Sequence, residues 1–352
     1  MTLVHRTACV AAVLAALSLG GRALAQYGPA PDAVKKPKVG FLLPAKYNSP
    51  DGMTIGKDGC IYLSMNNVVD QKHPAKILRI TPNDNLEEVI TLPPHPETKL
   101  ASPLGIVFGS DGHLYVADNQ MFCTKERGKS RLLRVGMSKG KAIGCAVVAT
   151  GLNMANGLAA KGDCIYLCDT TLNEESPMAS GVYRFKISEL DSARPVQVTG
   201  LKDPHLIVKL STVNKEHKVG ANGLDFDKAG NMYVCNFGDA EVIKVAFSSK
   251  GQIVGQRVFA KGQGMESTDG LHCDAEGNLW VADFLGNAVA KICPMGKVTI
   301  VVKNGESAGA DGSLHSPSEC IVRGKKLYVS NINLAYGPHK ASSIYTISVV
   351  DL

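Results

Sequence analysis

Six short apolar runs along this chain close on an aromatic-aliphatic pair: Cys60-Ile61-Tyr62-Leu63, His113-Leu114-Tyr115-Val116, Cys164-Ile165-Tyr166-Leu167, Asn231-Met232-Tyr233-Val234, Asn278-Leu279-Trp280-Val281 and Lys326-Leu327-Tyr328-Val329. Each follows, across a tight turn, a strand that opens on a four-residue phrase. The phrases are Pro50-Asp51-Gly52-Met53, Pro103-Leu104-Gly105-Ile106, Ala155-Asn156-Gly157-Leu158, Ala221-Asn222-Gly223-Leu224, Thr268-Asp269-Gly270-Leu271 and Pro317-Ser318-Glu319-Cys320. Strands without helices, repeating about every 50 residues, predict an all-β fold, a six-bladed β-propeller over residues 38–352. The turns inside these pairs, such as Gly56-Lys57-Asp58-Gly59 and Asp274-Ala275-Glu276-Gly277, are the Gly- and Asx-rich kind that make plain hairpins. Lys38 to Leu43 precedes the first phrase closely enough to serve as the outer strand of the last blade, beside Ser343 to Val349. Joining the two ends in one blade removes the exposed sheet edges.

The first strand of every propeller blade lines the central channel, so residues at one repeat position form one layer around the axis. Asp51, Asn156, Asn222 and Asp269 therefore converge, while Leu104 and Ser318 replace the acid or amide in blades two and six. Glu319 stands one place out of phase. Two carboxylates facing one point repel unless something compensates them, and a divalent cation does so. An all-oxygen donor set favours a hard ion. Ca2+ is expected, with other divalent cations as alternatives, because four protein oxygens leave positions for water or substrate among its roughly 6 to 8 ligands. An Asx-Gly pair can also simply begin a strand with a turn, but four in phase around a ring favour the shared site.

Long segments gather on the side where the phrases begin: Asn119 to Arg131, Thr170 to Gly181, Asp203 to Gly220, Lys303 to Pro317 and Ile332 to Ser342. Loops of more than about 12 residues in compact domains are usually functional or disordered. Lys125, Arg127, Lys129, Arg131, Lys215, His217, Lys218, His339 and Lys340 make them basic, which favours a small-molecule substrate that carries an anionic group. Tyr336 and Met121 are candidates for apolar walls.

Composition adds a location. His5 and Arg6, the apolar run Ala8 to Leu19 and Ala23-Leu24-Ala25 read as a secretory signal over residues 1–25, cleaved before Gln26. Residues 26–37, with Pro29, Pro31 and Pro37, read as an extended tether. No later stretch of about 18 apolar residues exists, so no membrane span is expected and the mature chain is read as secreted or periplasmic. Cleavage leaves 36 basic and 32 acidic residues, formally +4, a mild excess that points to no nucleic-acid partner. Ten cysteines are present and Cys9 leaves with the signal. Most of the rest lie in strand patterns as small buried thiols, with a Cys123–Cys145 disulfide as an open alternative. No C-x-x-C pair suggests zinc.

The segment Thr268-Asp269-Gly270-Leu271-His272-Cys273-Asp274-Ala275-Glu276-Gly277-Asn278-Leu279-Trp280-Val281-Ala282 resembles the senescence marker protein, gluconolactonase (regucalcin-like) family of the strictosidine synthase-like group, and Ala221 to Leu224 resembles the segment before it. That resemblance implies a six-bladed propeller holding a divalent cation, usually calcium, in its channel, with lactone or organophosphate ester hydrolysis as the activity. It implies Asn222 and Asp269 as metal ligands, Asp269 also as catalytic base or nucleophile, and Asn156 as a ligand or a substrate-orienting amide. The family's first-blade ligand is typically Glu; Asp51 stands in its place, one methylene shorter. The expected reaction is metal-assisted hydrolysis of a lactone or related ester. No Gly-x-Ser-x-Gly elbow competes, and His205, His272 and His315 are read as structural or loop histidines. Two rival readings share the site: an NHL-type binding propeller braced by calcium, and a metal-assisted isomerase or lyase with Asp269 as proton acceptor.

Overall fold

The computed structural model describes residues 34–352; the signal sequence and most of the tether read above lie outside them. At the tether's end, the Lys35 N–H donates to Val301 O at 2.8 Å. Strand β1 (Lys38–Leu43) comes first. Blade one is β2 (Pro50–Ile55), β3 (Ile61–Met65), β4 (Lys76–Ile80) and β5 (Leu86–Thr91). Blade two is β6 (Pro103–Phe108), β7 (Leu114–Asp118), β8 (Ser130–Ser138) and β9 (Lys141–Leu152). Blade three runs β10 (Ala155–Lys161), β11 (Cys164–Asp169) and β12 (Met178–Lys186), detours through β13 (Val196–Gln197), and ends with β14 (Leu206–Thr212). Blade four is β15 (Ala221–Phe226), β16 (Met232–Asn236), β17 (Glu241–Phe247) and β18 (Ile253–Lys261). Blade five is β19 (Leu271–Cys273), β20 (Leu279–Asp283), β21 (Ala288–Ile292) and β22 (Val298–Lys303). Blade six is β23 (Pro317–Arg323), β24 (Lys326–Asn331) and β25 (Tyr345–Asp351), completed by β1 antiparallel to β25. The ring closes through the first described strand, as the sequence predicts.

The core is not central but lies between neighbouring blades. Because strand side chains alternate in direction, one strand feeds two interfaces. Ile61 and Leu63 of β3 pack with Ile321, Tyr328 and Ile347 of blade six, while Tyr62 between them packs with Leu114 and Val116 of blade two. The same alternation explains why the second strands read as unbroken apolar runs: both of their faces are buried. The aromatic in four of the six pairs also has a polar task. Tyr62, Tyr115, Tyr233 and Trp280 donate to the turn aspartates Asp58, Asp111, Asp227 and Asp274 at 2.8, 2.9, 3.1 and 2.9 Å, so hairpin and interface are fastened together.

The glycines of the phrases serve close approach rather than turning. A Cβ on Gly52 would lie 2.5 Å from Leu104 O, on Gly105 2.5 Å from Asn156 O, and on Gly223 2.5 Å from Asp269 O; on Gly157 it would collide with Asn222 O. Inner strands of successive blades thus touch backbone to backbone around the channel. Blade six ends the series: a Cβ on Gly270 would meet Ser318 O and lie 2.6 Å from the Glu319 carboxyl.

Three expectations are corrected. Residues 203–220 are not one long loop, because Leu206–Thr212 is the outer strand of blade three; from Val208 on it alternates buried and exposed positions, with Lys209 and Ser211 outward, and so lacks the unbroken apolar run of the second strands. β13 pairs in parallel with β9 and makes blade two five-stranded, and two residues are too few to show a period. Cys123 and Cys145 are not bonded; all nine cysteines of the described residues are free. Cys145 sits in β9 opposite Val135, whereas Cys123 closes a turn on Gln120 in the loop after β7, so their side chains belong to different parts of the blade.

Candidate functional site

Five of the six phrases fall on a break in strand register, β23 between Pro317 and Glu319 among them; in blade five Asp269 instead lies just ahead of β19, whose pairing is regular. β2 shifts between Pro50 and Met53, β6 between Pro103 and Ile106, β10 between Ala155 and Leu158, and β15 between Ala221 and Leu224. A bulge re-aims the side chain it contains. Here it turns the second residue of the phrase into the channel, and Asp51, Asn156, Asn222 and Asp269 all line one cavity of about 300 Å³ at the channel mouth. Asp51, Asn156 and Asn222 are buried, and Asp269 keeps part of its surface on the cavity.

Among the described residues, no basic side chain lines this cavity. Burial pushes the Asp51 carboxyl up to about 7, with Ser318 pulling it partly back. Burial, then the nearby charges of Asp51 and Glu319, hold Asp269 well above the ordinary carboxylate range, while the Asn222 amide opposes the shift. Asn156 is oriented by a chain of bonds: Thr170 Oγ1 donates to Ala221 O at 2.7 Å and so must accept from Asn156 Nδ2 at 3.2 Å. That leaves Asn156 Oδ1 for the channel. Among the described residues, no three His, Cys, Asp or Glu side chains cluster to hold a metal ion. The set here is instead two carboxylates and two amides, oxygen donors of the kind that suit a hard divalent cation.

A pH dependence follows. The raised Asp51 carboxyl contributes its stability to the metal-free fold fully below its unfolded value near about 4 and loses it as pH rises through about 7. A cation needs the carboxylates ionised, so its affinity moves the opposite way. We expect Ca2+ affinity to fall at least tenfold for each pH unit below about 7, one decade for the proton that Asp51 must release and more where Asp269 releases one too, read by calorimetry between pH 5.5 and 8.5. A flat profile would separate Asp51 from cation binding.

The walls above these four residues are apolar. Leu104 and Met154 come from blades two and three, Val219 and Phe237 flank blade four's inner strands, Phe284 follows β20, and Phe122, Ile332, Leu334, Ala335 and Tyr336 come from the loops after β7 and β24. Phe237, Phe284 and Tyr336 form a triangle with ring centroids 5.8, 6.2 and 6.1 Å apart. Tyr336 is where the sequence placed it; the second expected wall residue is Phe122 rather than Met121.

Several basic residues of the long loops point into the fold. Arg131 is buried on Asp118, with Nε to Oδ2 2.7 Å. Arg127 donates to Thr171 O at 2.8 Å, Lys129 pairs with Glu97 at 2.5 Å, and His339 holds Glu306 and Phe284 O at 3.0 and 2.7 Å. Their role here is to anchor loops.

Glu319 and the histidines lie elsewhere. Glu319 accepts from its own neighbour Cys320 N–H at 2.8 Å and lines a second cavity with His272 and Asp225 rather than the one the four share, although its charge still acts on Asp269. His272 Nδ1 lies 3.4 Å from Asp225, His205 is bound to Asp203 at 2.8 Å, and buried His315 meets Lys340 O at 2.9 Å. The sequence reading missed the residues that hold the mouth in place. Asp118, Asp169, Asp283 and Asn331 end the second strands of four blades and accept N–H groups of Ser102, Asn153 and Met154, Glu266 and Ser267, and His315. Each bond clamps the segment that enters the inner strand just before its phrase. Their regular spacing after the aromatic-aliphatic pair was the available signal.

Residues 202–310, just under a third of the chain, match the family described as SMP-30/Gluconolactonase/LRE-like region. The match spans blades four and five and includes Asn222 and Asp269. No curated protein matches. Among solved structures, a gluconolactonase from Xanthomonas campestris is 16% identical with a TM-score of 0.53, covering 92% of this chain and 97% of its own. A calcium-binding protein, regucalcin, from Agrobacterium tumefaciens is 12% identical at 0.55, covering 90% and 93%. A PQQ-bound aldose sugar dehydrogenase from Streptomyces coelicolor is 18% identical at 0.52, covering 91% and 99%. At these identities the likeness is one of fold, and the fold carries more than one chemistry.

Proposed function

We propose that this propeller, with its SMP-30/gluconolactonase/LRE-like region over residues 202–310, is an exported, Ca2+-dependent hydrolase of a lactone or related ester. The observation that carries the reading is a pair of carboxylates, Asp51 and Asp269, at one cavity with two amides and no basic side chain. Asp51, Asn156, Asn222 and Asp269 would hold the cation. When bound, the ion supplies positive charge that polarises a carbonyl oxygen and offsets the charge that develops on it.

The chain's own groups do the rest. Asp269 is the carboxylate with surface on the cavity, so it is placed to take a proton from water or to attack the carbonyl carbon directly. Asn156, fixed through Thr170, presents an amide oxygen in constant orientation, and the apolar loops exclude bulk water from the reacting ester. The export part of the reading rests on the sequence pattern of residues 1–25. The open cavity favours catalysis over a calcium brace, because a bracing ion needs no room for a ligand above it.

Calorimetry with Ca2+ on the mature protein, followed by turnover of a lactone panel with and without chelator, tests the reading. Binding together with chelator-sensitive turnover is expected. Binding without turnover of any ester would transfer the site to the brace or isomerase readings, and absence of binding would remove the shared site altogether.

A further inference from the structure

We infer that the substrate is an uncharged lactone or ester with an apolar side chain, an alkyl or aryl group that sits against the aromatic wall of the mouth, rather than a polyhydroxylated or anionic one. This rests on the hydrolase reading and specifies the substrate of that same site. The four polar residues that line the cavity lie at its floor and are the groups committed to the cation. Above them the wall offers carbon: Leu104, Phe122, Phe237, Phe284 and Leu334 among others. Tyr336 contributes the wall's one hydroxyl among the described residues.

A sugar lactone would bring several hydroxyls into this space. A buried hydroxyl without a partner is strongly disfavoured, and one tyrosine cannot satisfy a row of them. An anionic group fares no better. None of the nine basic loop residues lines the cavity, and four of them, Arg127, Lys129, Arg131 and His339, are engaged with Thr171 O, Glu97, Asp118 and Glu306. An alkyl chain meets the opposite situation. Leu104, Phe237, Phe284 and Ile332 are already packed as an apolar cluster with Phe122, Val219, Leu334 and Tyr336 half-buried against it, so each added methylene removes apolar surface from water on both sides.

The expected consequence is quantitative. Across γ-lactones with side chains from methyl to hexyl, kcat/KM should rise about fourfold per methylene, equivalent to about 0.8 kcal/mol, until the cavity is filled. Gluconolactone should be the poorest substrate of the panel. Phe122→Ala and Leu334→Ala, at half-buried positions that the fold tolerates, should flatten the rise by lowering the longest lactones more than the shortest. A flat series, or gluconolactone as the best substrate, would overturn the inference while leaving hydrolysis intact. If no lactone turns over, the hydrolase reading fails, and the inference is then read from binding of the matching alkyl γ-lactams, which resist hydrolysis. Affinity that tightens with chain length supports the apolar site, and affinity independent of length overturns it.

Discussion

Asp269→Asn is expected to lower kcat by about three orders of magnitude at saturating Ca2+, while the metal-free protein melts at or above the parent's temperature at pH 8. The two effects have one origin. Asp269 is held high by burial and by the charges of Asp51 and Glu319, so ionising it in the metal-free protein is costly. The amide keeps the shape and removes that charge, which relieves the repulsion in the metal-free state. It also removes the carboxylate with the larger surface on the cavity, the one placed to accept a proton from water, and one anionic donor to the cation. Ca2+ should therefore raise the melting temperature of the variant less than that of the parent, since stabilisation follows affinity. Turnover at saturating Ca2+ and melting curves with and without chelator give both readings. Parent-level kcat in the variant would remove Asp269 from the chemistry, and a markedly lower melting temperature in chelator would show that the carboxylate supports the fold instead.

The ring and its channel layer were legible because they are written periodically. Asp51, Asn156, Asn222 and Asp269 share a repeat position, and repetition converts a local phrase into a spatial layer without any knowledge of contacts. The walls were not legible in this way. Phe237 and Phe284 share an offset, four residues after the aromatic of their pairs, but Phe122 and Tyr336 come from longer loops at other offsets, and the convergence of the four depends on where those loops lead. The charge reading missed the partners of several loop cations for a related reason. A sequence shows that Arg131 and Lys129 are basic and near a loop, but not that Asp118 and Glu97 wait for them. Even the well-read phrases were understood for half of their content: the Asx points to the channel, whereas the glycine beside it answers to the next blade.

That glycine supports the second large effect. Gly157→Ala is expected to cost about 3 kcal/mol of stability and to weaken Ca2+ binding, although residue 157 bears no ligand. Its new Cβ would run into the carbonyl of Asn222, backbone that cannot rotate away as a side chain end can. Relief requires blades three and four to part at their inner strands, which moves Asn222 away from Asn156 and opens the donor set. Gly162→Ala is the matched control. Gly162 turns the β10–β11 hairpin at φ +59° with open space around it, so alanine there should cost about 1 kcal/mol and leave the cation site untouched. Denaturant unfolding and Ca2+ calorimetry on the two variants decide between the meanings of an Asx-Gly phrase. If the phrase were a turn signal, the two substitutions would cost alike and neither would alter binding. If it records the contact between inner strands, only Gly157→Ala couples a loss of stability to a loss of the site, and the repeat that builds the ring is the same one that sets the spacing of its ligands.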